Sequence, residues 1–356
     1  MDKPITLQDD LDSMSVPGDL YEVVDADEKK IRCVACGHRC LIKDGRRGIC
    51  KVRYNDGGVL RVPHGYVGAL QVDPIEKKPF FHVTPGENVL SFGMLGCDFR
   101  CGYCQNWQIS QTLRDEAAGR DYMPASAEDL IALGRRYGSR AVASTYNEPL
   151  ITSEWAVEVF KLARGAGMRT FYVSNGNGTP EVIDYLRPWL DGYKIDLKTM
   201  QDRHYRKDLG GVLQHVLDTI KRVHEAGIWL EVLTLIVPGF NDSSEELWDA
   251  ARYIRSVSPD IPWHITAFHP DYKMMDVPRT TADTLVRAAE IGAEAGLNYV
   301  YAGNLPGRTA EWEDTRCPHC QTTVIRRQGF AVRENRLART GGTCPQCGTR
   351  IPGIWS

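Results

Sequence analysis

The sequence predicts an α/β domain built on an open parallel sheet, with a cysteine-rich segment before it and a small cysteine-bearing module after it. Between residues 89 and 302, short apolar runs alternate with helical patterns, which is typical of βαβ units. The eleven cysteines form three separate groups, and two of these lie outside the alternating region. Six or seven βα units are fewer than the eight of a closed barrel, so we expect a partial barrel.

The individual elements follow from apolar spacing. Ser126 and Asp129 form a capping box before Leu130, Leu133 and Tyr137, which recur at helical spacing. The expected strands are Val89–Leu95, Ala141–Tyr146, Arg169–Ser174, Tyr193–Leu197, Ile228–Val237, His264–Phe268 and Tyr299–Ala302. The expected helices are Ser126–Tyr137, Glu154–Ala166, one from Thr179, Val212–Ala226, Ser243–Ser256 and Thr281–Ala295.

Composition sets the broad class. The chain has 356 residues, 42% of them hydrophobic and 25% charged, with a net charge of −3, as in an ordinary globular protein without a general attraction to nucleic acid. It contains no apolar run of membrane-spanning length, and its acidic, polar start does not resemble a signal peptide. We therefore expect a cytoplasmic protein with no membrane partner, divided into residues 1–74, 75–305 and 306–356. The first 26 residues lack clear periodicity and are expected to be a loose lead-in.

The central cysteine group lies directly after the first strand of the alternating region. Cys97, Cys101 and Cys104 lie within one short loop, and the next cysteine is Cys317. A four-iron, four-sulfur cluster normally takes four thiolates, so three leave one iron open for a ligand that is not protein. The loop resembles the C-x3-C-x-aromatic-C signature of the radical S-adenosylmethionine (SAM) superfamily, with Tyr103 in the aromatic place. A zinc knuckle completed by a distant histidine, or three core cysteines, are the alternatives.

Polar or Gly/Pro residues follow each of the expected strands. Because the carboxyl ends of parallel strands meet at one edge, we expect these residues to share one site. After the cysteine loop they are Thr145–Pro149, Ser174–Gly178, Asp196–Lys198, Pro238–Asp242, His269–Pro270 and Gly303–Asn304.

The chemistry of SAM suggests roles for these residues. Its ammonium group needs a carboxylate, for which we select Glu148, followed by the rigid Pro149. Glu148-Pro149 also resembles the G-G-E-P signature of the superfamily, with Tyr146-Asn147 in place of the glycines. Lys198 or Asn175 suits the SAM carboxylate.

The remaining parts of SAM are assigned in the same way. His269 or Asp196 suits the ribose hydroxyls. Pro238-Gly239 would let the backbone approach the adenine, because glycine has no side chain there.

A wider set of motifs resembles the radical SAM protein of the AmmeMemoRadiSam system, a group that is similar to pyruvate formate-lyase activating enzymes. The motifs are Asp73–Pro79, Cys97–Ser110, Thr145–Pro149, Asp196–Lys198, Leu235–Gly239 with Asn241-Asp242, and Phe268–Met274. The resemblance implies a partial (βα)6-type radical SAM barrel, with SAM contacts at Asp196, Lys198 and His269. It also implies an electron donor such as flavodoxin or ferredoxin, and partners of the Memo and AMMECR types.

The N-terminal group contains four thiols within 18 residues: Cys33, Cys36, Cys40 and Cys50. This spacing suits a tetrahedral zinc site or a second iron–sulfur cluster, and the spacing alone does not separate them. The surrounding lysines and arginines are a solvated face or a docking surface for an acidic partner.

The C-terminal group consists of two C-P-x-C pairs, Cys317/Cys320 and Cys344/Cys347. Paired knuckles at this separation predict a zinc ribbon, with rubredoxin-type iron as the alternative. A module this small has little core, so the metal would supply much of its folding energy.

The favoured function is a radical SAM oxidoreductase that cleaves SAM to a 5′-deoxyadenosyl radical, which abstracts hydrogen from a protein residue, as in glycyl-radical activation, or from a small molecule. An iron–sulfur electron-transfer protein is one alternative, but it needs no SAM-shaped pocket. An RNA-modifying enzyme is the other, although no recognisable RNA-binding module is present.

Overall fold

A computed structural model of the chain describes residues 6–119 and 121–355. The strands, in chain order, are β1 (Ser15–Pro17), β2 (Tyr21–Asp25), β3 (Lys30–Cys33), β4 (Leu41–Ile42), β5 (Tyr54–Asp56), β6 (Val59–Pro63), β7 (Tyr66–Val67), β8 (Ala69–Pro74), β9 (Asn88–Gly93), β10 (Met123–Pro124), β11 (Ala141–Ser144), β12 (Arg169–Ser174), β13 (Gly192–Asp196), β14 (Trp229–Ile236), β15 (Trp263–Ala267), β16 (Val300–Gly303), β17 (Thr315–Arg316), β18 (Thr323–Gln328) and β19 (Ala331–Asn335). The helices are α1 (Leu7–Ser13), α2 (Trp107–Ser110), α3 (Ala127–Arg136), α4 (Ser153–Gly165), α5 (Pro180–Leu186), α6 (Asp202–His204), α7 (Leu213–Glu225), α8 (Ser244–Val257) and α9 (Ala282–Glu294).

The main sheet has eight strands in the order β16-β15-β14-β13-β12-β11-β9-β8. From β16 to β9, each strand in this order is parallel to its neighbours. The edge strand β8 pairs with β9 in the antiparallel direction. Within the described residues, β8 and β16 are edge strands that do not pair with each other. The α/β class with a mostly parallel sheet is therefore confirmed.

One helix between the strands begins at the capping box that the sequence predicts. The Ser126 hydroxyl accepts a hydrogen bond from Asp129 N–H at 3.1 Å, and the Asp129 carboxylate accepts from Ser126 N–H at 3.1 Å, which confirms the capping box. Helix α3 buries Leu130 but ends at Arg136, so Tyr137 lies beyond its last turn and is 55% exposed. The expected helix was one residue too long at that end.

The N-terminal segment is not the loose lead-in that the sequence suggested, as far as residues 6–26 are concerned; Met1–Ile5 lie outside the described residues. Helix α1 is followed by β1, which pairs with β6, and by β2, which pairs with β3. Strand β1 pairs with a strand more than forty residues away, so no local periodicity marks it in the sequence. Strand β8 ends at Pro74 and belongs to the main sheet, so the expected boundary at residue 75 cuts off an edge strand.

The C-terminal module is a small β17-β18-β19 sheet packed against the main sheet. Its apolar core includes Tyr301 of β16 and Phe81 of the β8–β9 connection. The buried Arg327 guanidinium donates to the Phe81 carbonyl at 2.7 Å, and Ile354 N–H donates to the His82 carbonyl at 2.7 Å. The module is thus continuous with the main core.

A separate observation concerns membranes. In the described part of the chain, no helix combines the length and apolar character needed to cross a bilayer.

Candidate functional site

A cavity of about 440 Å³ lies at the carboxyl ends of the parallel strands. A cavity of this volume is in the range that holds a small molecule or cofactor. Its wall is built from the cysteine loop, the strand ends of β11 to β16 and the Gly329-Phe330 turn of the C-terminal module. The sequence-predicted residues in its lining are Cys97, Cys101, Tyr103, Cys104, Glu148, Asn175, Asp196 and Lys198.

The cysteine loop leaves β9 through a glycine turn. Gly96 has a φ of 91°, and a Cβ there would lie 3.1 Å from the Cys50 carbonyl, so both the backbone and the space require glycine. Phe99 N–H donates to the Cys97 sulfur at 3.4 Å, and the Ser110 hydroxyl lies 3.3 Å from the Cys104 sulfur. Hydrogen bonds of this kind stabilise thiolates in metal sites.

Burial and the charge of a nearby lysine have opposite effects on the pKa of Cys101. Burial raises the pKa of Cys101 to about 12, and the nearby Lys198 ammonium opposes that rise. Thiols of this kind give up their protons when they bind a metal. Among the described residues, the thiols of this loop do not form a group of three with sulfurs within 4.8 Å of one another.

Glu148 is 1% exposed at the end of β11. Its carboxylate accepts hydrogen bonds from the Ser174 hydroxyl at 2.7 Å, from Asn175 N–H at 2.7 Å and from Leu150 N–H at 3.0 Å. Burial, followed by the nearby Asp98 charge, raises the pKa of Glu148 to about 8 despite these donors. An additional cation in the cavity would offset both effects.

The side chain of Asn175, which the sequence suggested for the SAM carboxylate, is hydrogen-bonded to other protein groups. Its side-chain amide donates to the Asp98 carboxylate at 2.7 Å, and its side-chain carbonyl accepts from Asn177 N–H at 2.9 Å. Asn177 donates to the other Asp98 oxygen at 2.8 Å. Asp98, a buried acid between Cys97 and Cys101, has no local feature that distinguishes it in the sequence from a surface residue.

Asp196 and Lys198 lie together at the end of β13. The Lys198 ammonium donates to the Asp196 carboxylate at 3.3 Å. The Asn241 side chain donates to the Lys198 carbonyl at 2.7 Å and to the Leu235 carbonyl at 2.8 Å, which joins the ends of β13 and β14. This explains why an asparagine follows the β14 turn.

Tyr146-Asn147 keeps a glycine-type backbone although it contains no glycine. Tyr146 has a φ of 72°, in the left-handed region, and its hydroxyl accepts from the Lys78 ammonium at 3.0 Å. Asn147 is 8% exposed and lines the cavity; its side-chain carbonyl accepts from Met94 N–H at 3.2 Å. Its side-chain NH2 is buried without a hydrogen-bond partner among the described residues. A buried donor of this kind indicates a missing acceptor.

Two expected contacts are not brought to the cavity. His269 lies outside the lining, and its Nδ1 is 2.9 Å from the Gln105 amide. Gly239 also lies outside, in a turn where its N–H donates to Asp242 at 2.9 Å. His264, which the sequence did not single out, does line the cavity and pairs with the buried Glu231 at 2.5 Å. Its position on the inner face of β15 becomes visible only with the strand register.

The N-terminal cysteines are all free and close to the same site. Cys33, Cys36 and Cys50 are buried, and Cys40 is half-buried. The loop that carries them docks on the β12–α5 connection through a 2.7 Å hydrogen bond from Gly37 N–H to the Asn177 carbonyl.

The C-terminal cysteines form the predicted four-thiol group. The ligand atoms of Cys317, Cys320, Cys344 and Cys347 all lie within 4.8 Å of one another. Hydrogen bonds from the Thr349 hydroxyl and backbone lower the pKa of Cys347 to about 6, which favours the thiolate. These residues fit one tetrahedral metal ion.

Comparisons with known proteins give one family match, for the central region, and several similar proteins. The family described as "Radical SAM superfamily" matches residues 93–254. The uncharacterized protein MJ0808 of Methanocaldococcus jannaschii is 39% identical over 91% of this chain and 96% of its own length. A pyruvate formate-lyase-activating enzyme of Clostridium pasteurianum is 24% identical over 54% of this chain and 84% of its own. A solved domain of such an enzyme from Bacteroides vulgatus superposes with a TM-score of 0.39 at 21% identity, covering 46% of this chain and 99% of the domain.

Proposed function

Because the chain belongs to the radical SAM superfamily, we propose that it is an oxidoreductase that cleaves SAM reductively and uses the resulting radical to abstract hydrogen from a substrate. The observation that carries the proposal is the meeting of three thiols, two carboxylates and an ammonium group at one cavity. Cys97, Cys101 and Cys104 would hold the four-iron cluster. When bound, this cluster supplies the electron that breaks a carbon–sulfur bond of SAM.

The chain's own residues then bind and orient SAM. Glu148 is a buried carboxyl with a pKa raised to about 8, and the SAM ammonium would favour its ionised form by adding a charged hydrogen bond. The unpartnered NH2 of Asn147, the preceding residue, is suited to donate to the SAM carboxylate. The two partners of the zwitterion would thus come from consecutive positions, with Lys198 as the nearby cation.

Asp196 remains suited to the ribose hydroxyls, since it lines the cavity and is half-buried. His269 could contribute only if the Gln105 contact opens. Tyr103, 5% exposed with its ring 5.7 Å from that of Phe240, forms an apolar wall. Apolar walls exclude water from a radical, which would otherwise react outside its substrate.

The AmmeMemoRadiSam resemblance, the Memo and AMMECR partners and an electron donor of the flavodoxin or ferredoxin class rest on the sequence motifs. The eleven free cysteines support a reducing, cytoplasmic setting. An iron–sulfur electron-transfer protein would not need a small-molecule cavity at the strand ends.

The test uses anaerobically purified, iron-reconstituted protein treated with dithionite and SAM. We expect 5′-deoxyadenosine by chromatography, and a change in the electron paramagnetic resonance (EPR) spectrum of the reduced cluster when SAM is added. The variant with Cys97, Cys101 and Cys104 replaced by alanine should show neither. A loaded cluster that yields no deoxyadenosine and no SAM-dependent spectral change would overturn the proposal.

A further inference from the structure

The four N-terminal thiols converge on one buried space. Cys33 N–H donates to the Cys40 carbonyl at 3.0 Å, which closes the loop between them. Ile49 N–H donates to the Cys40 sulfur at 3.4 Å, which brings the Cys50 end of the segment alongside. Burial, followed by the charges of Asp98, Cys33, Cys50 and Cys40, raises the pKa of the Cys36 thiol, so the four thiols lie near one another. None of them forms a disulfide.

The distances between sulfurs separate this group from the C-terminal one. A tetrahedral zinc site with Zn–S bonds of about 2.3 Å places its sulfurs about 3.8 Å apart. The C-terminal pairs Cys317–Cys347 and Cys320–Cys344 lie at 3.5 and 3.7 Å, as one ion requires. Within the described ranges, no three of the N-terminal thiols come within 4.8 Å of one another, although they share one space. Wider spacing suits a cluster, in which each thiolate binds a different iron.

From this spacing we propose that Cys33, Cys36, Cys40 and Cys50 hold a second four-iron, four-sulfur cluster. Four protein thiolates leave no iron open, so this cluster binds neither SAM nor substrate. Its chemistry is the exchange of single electrons, with an external one-electron carrier as donor. The half-buried Cys40 provides the side that faces solvent.

The position of this second site links it to the cavity. Asp98 accepts from Asn175 and Asn177, and the Asn177 carbonyl accepts from Gly37 within the N-terminal cysteine loop. The Arg114 guanidinium donates to the Phe99 carbonyl at 2.8 Å and to the Ile49 carbonyl at 2.5 Å, which joins the two cysteine loops directly. A rigid connection of this kind keeps two redox centres at a constant separation.

The test measures metal content in the variant with Cys97, Cys101 and Cys104 replaced by alanine, which cannot hold the first cluster. Purified anaerobically, this variant should still contain about four irons and four sulfides per chain, with about one zinc. Its reduced EPR signal should not respond to SAM. Adding Cys36→Ser and Cys40→Ser should remove the iron and leave the zinc, whereas the control Cys320→Ser should remove the zinc and leave the iron.

Two zincs and no iron in the triple variant would overturn the inference, as would an absence of any metal from a variant that retains its circular dichroism spectrum. The triple variant keeps all four N-terminal cysteines, so its result does not depend on whether their substitution impairs folding. The inference is independent of SAM cleavage. If it fails while the wild-type protein still produces 5′-deoxyadenosine, the proposed function stands.

Discussion

The backbone N–H of Asn175 donates a 2.7 Å hydrogen bond to the Glu148 carboxylate, so the end of β12 holds the acid at the end of β11. The same residue's side chain holds Asp98 in the cysteine loop. Two buried carboxylates from different loops are therefore positioned by one asparagine. Among the residues that the structure describes, no cation pairs directly with the Glu148 carboxyl at the cavity, which leaves that role to a ligand.

Glu148→Gln should weaken SAM binding by about 10- to 100-fold, the value of one charged hydrogen bond. The amide is neutral but similar in shape, so cluster absorbance should be unchanged. Titration calorimetry with SAM on the reconstituted protein measures the effect. Equal affinity in the variant would remove Glu148 from the site.

Asn147→Asp tests the unpartnered donor. The substitution keeps an oxygen for Met94 N–H but replaces the free NH2 by a negative oxygen facing the SAM carboxylate. We expect at least about a 10-fold loss of SAM affinity from this repulsion. Asn147→Ser, which is neutral, is the control and should lose less. If the aspartate variant binds as tightly as the serine variant, the NH2 does not face the carboxylate.

Glu154→Gln should strongly destabilise the docking of the N-terminal segment. The Arg53 guanidinium donates to both Glu154 oxygens at 2.7 Å and is itself 1% exposed. Removing one charge leaves the other buried and unpaired, which costs about 3–5 kcal/mol. Urea unfolding measures the loss. Glu158→Gln on the same helix, where the carboxylate is 48% exposed beside His64, should cost under about 1 kcal/mol; similar losses for both would contradict the prediction.

Removal of the C-terminal metal should loosen the module. Cys320→Ser should abolish zinc binding and lower the melting temperature, because a small module depends on its metal for folding. His319→Ala is the matched control, since this exposed residue lies between two ligands without belonging to the four-thiol group. Zinc content by mass spectrometry and melting by calorimetry check both. Unchanged melting and metal content in Cys320→Ser would argue against a ribbon.

His82 should make the protein sensitive to acid. It is fully buried, between the Tyr301 hydroxyl at 2.6 Å and the Pro352 carbonyl at 2.7 Å. Burial lowers the pKa of His82 to about 4, against an ordinary value of 6.5, although the Glu231 charge opposes this. Below about pH 6.5 the unfolded chain therefore takes up a proton that the folded chain does not, and stability falls as the pH decreases.

The titration of His82 should lower the free energy of unfolding by about 3 kcal/mol at pH 4 and leave it almost unchanged above pH 7.5. His82→Gln cannot titrate, so its free energy of unfolding should depend less on pH across that window, even if it is less stable at neutral pH. Urea unfolding of both proteins between pH 4 and 8 measures the difference. Parallel profiles would show that His82 is not responsible.

Much of the fold was predictable because its pattern is local. Apolar runs and helix caps are set by neighbouring residues, and Ser126 with Asp129 marked a helix start correctly. The N-terminal strands were missed because β1 pairs with β6 across more than forty residues. The same distinction applies at the cavity. Glu148 was predictable because it directly follows its strand. The position of Asp98 was not, because it is fixed by hydrogen bonds from Asn175 and Asn177, more than seventy residues away.

Spacing along the chain specifies the order of strands and helices between residues 89 and 302, the three cysteine groups and the edge of the sheet where polar residues collect. Packing alone determines which thiols lie close enough for one ion, that Asn147 carries an unpartnered donor, and that His264 lines the cavity while His269 lies outside its lining. These depend on distances between atoms brought together by packing. Spacing in sequence does not specify such distances.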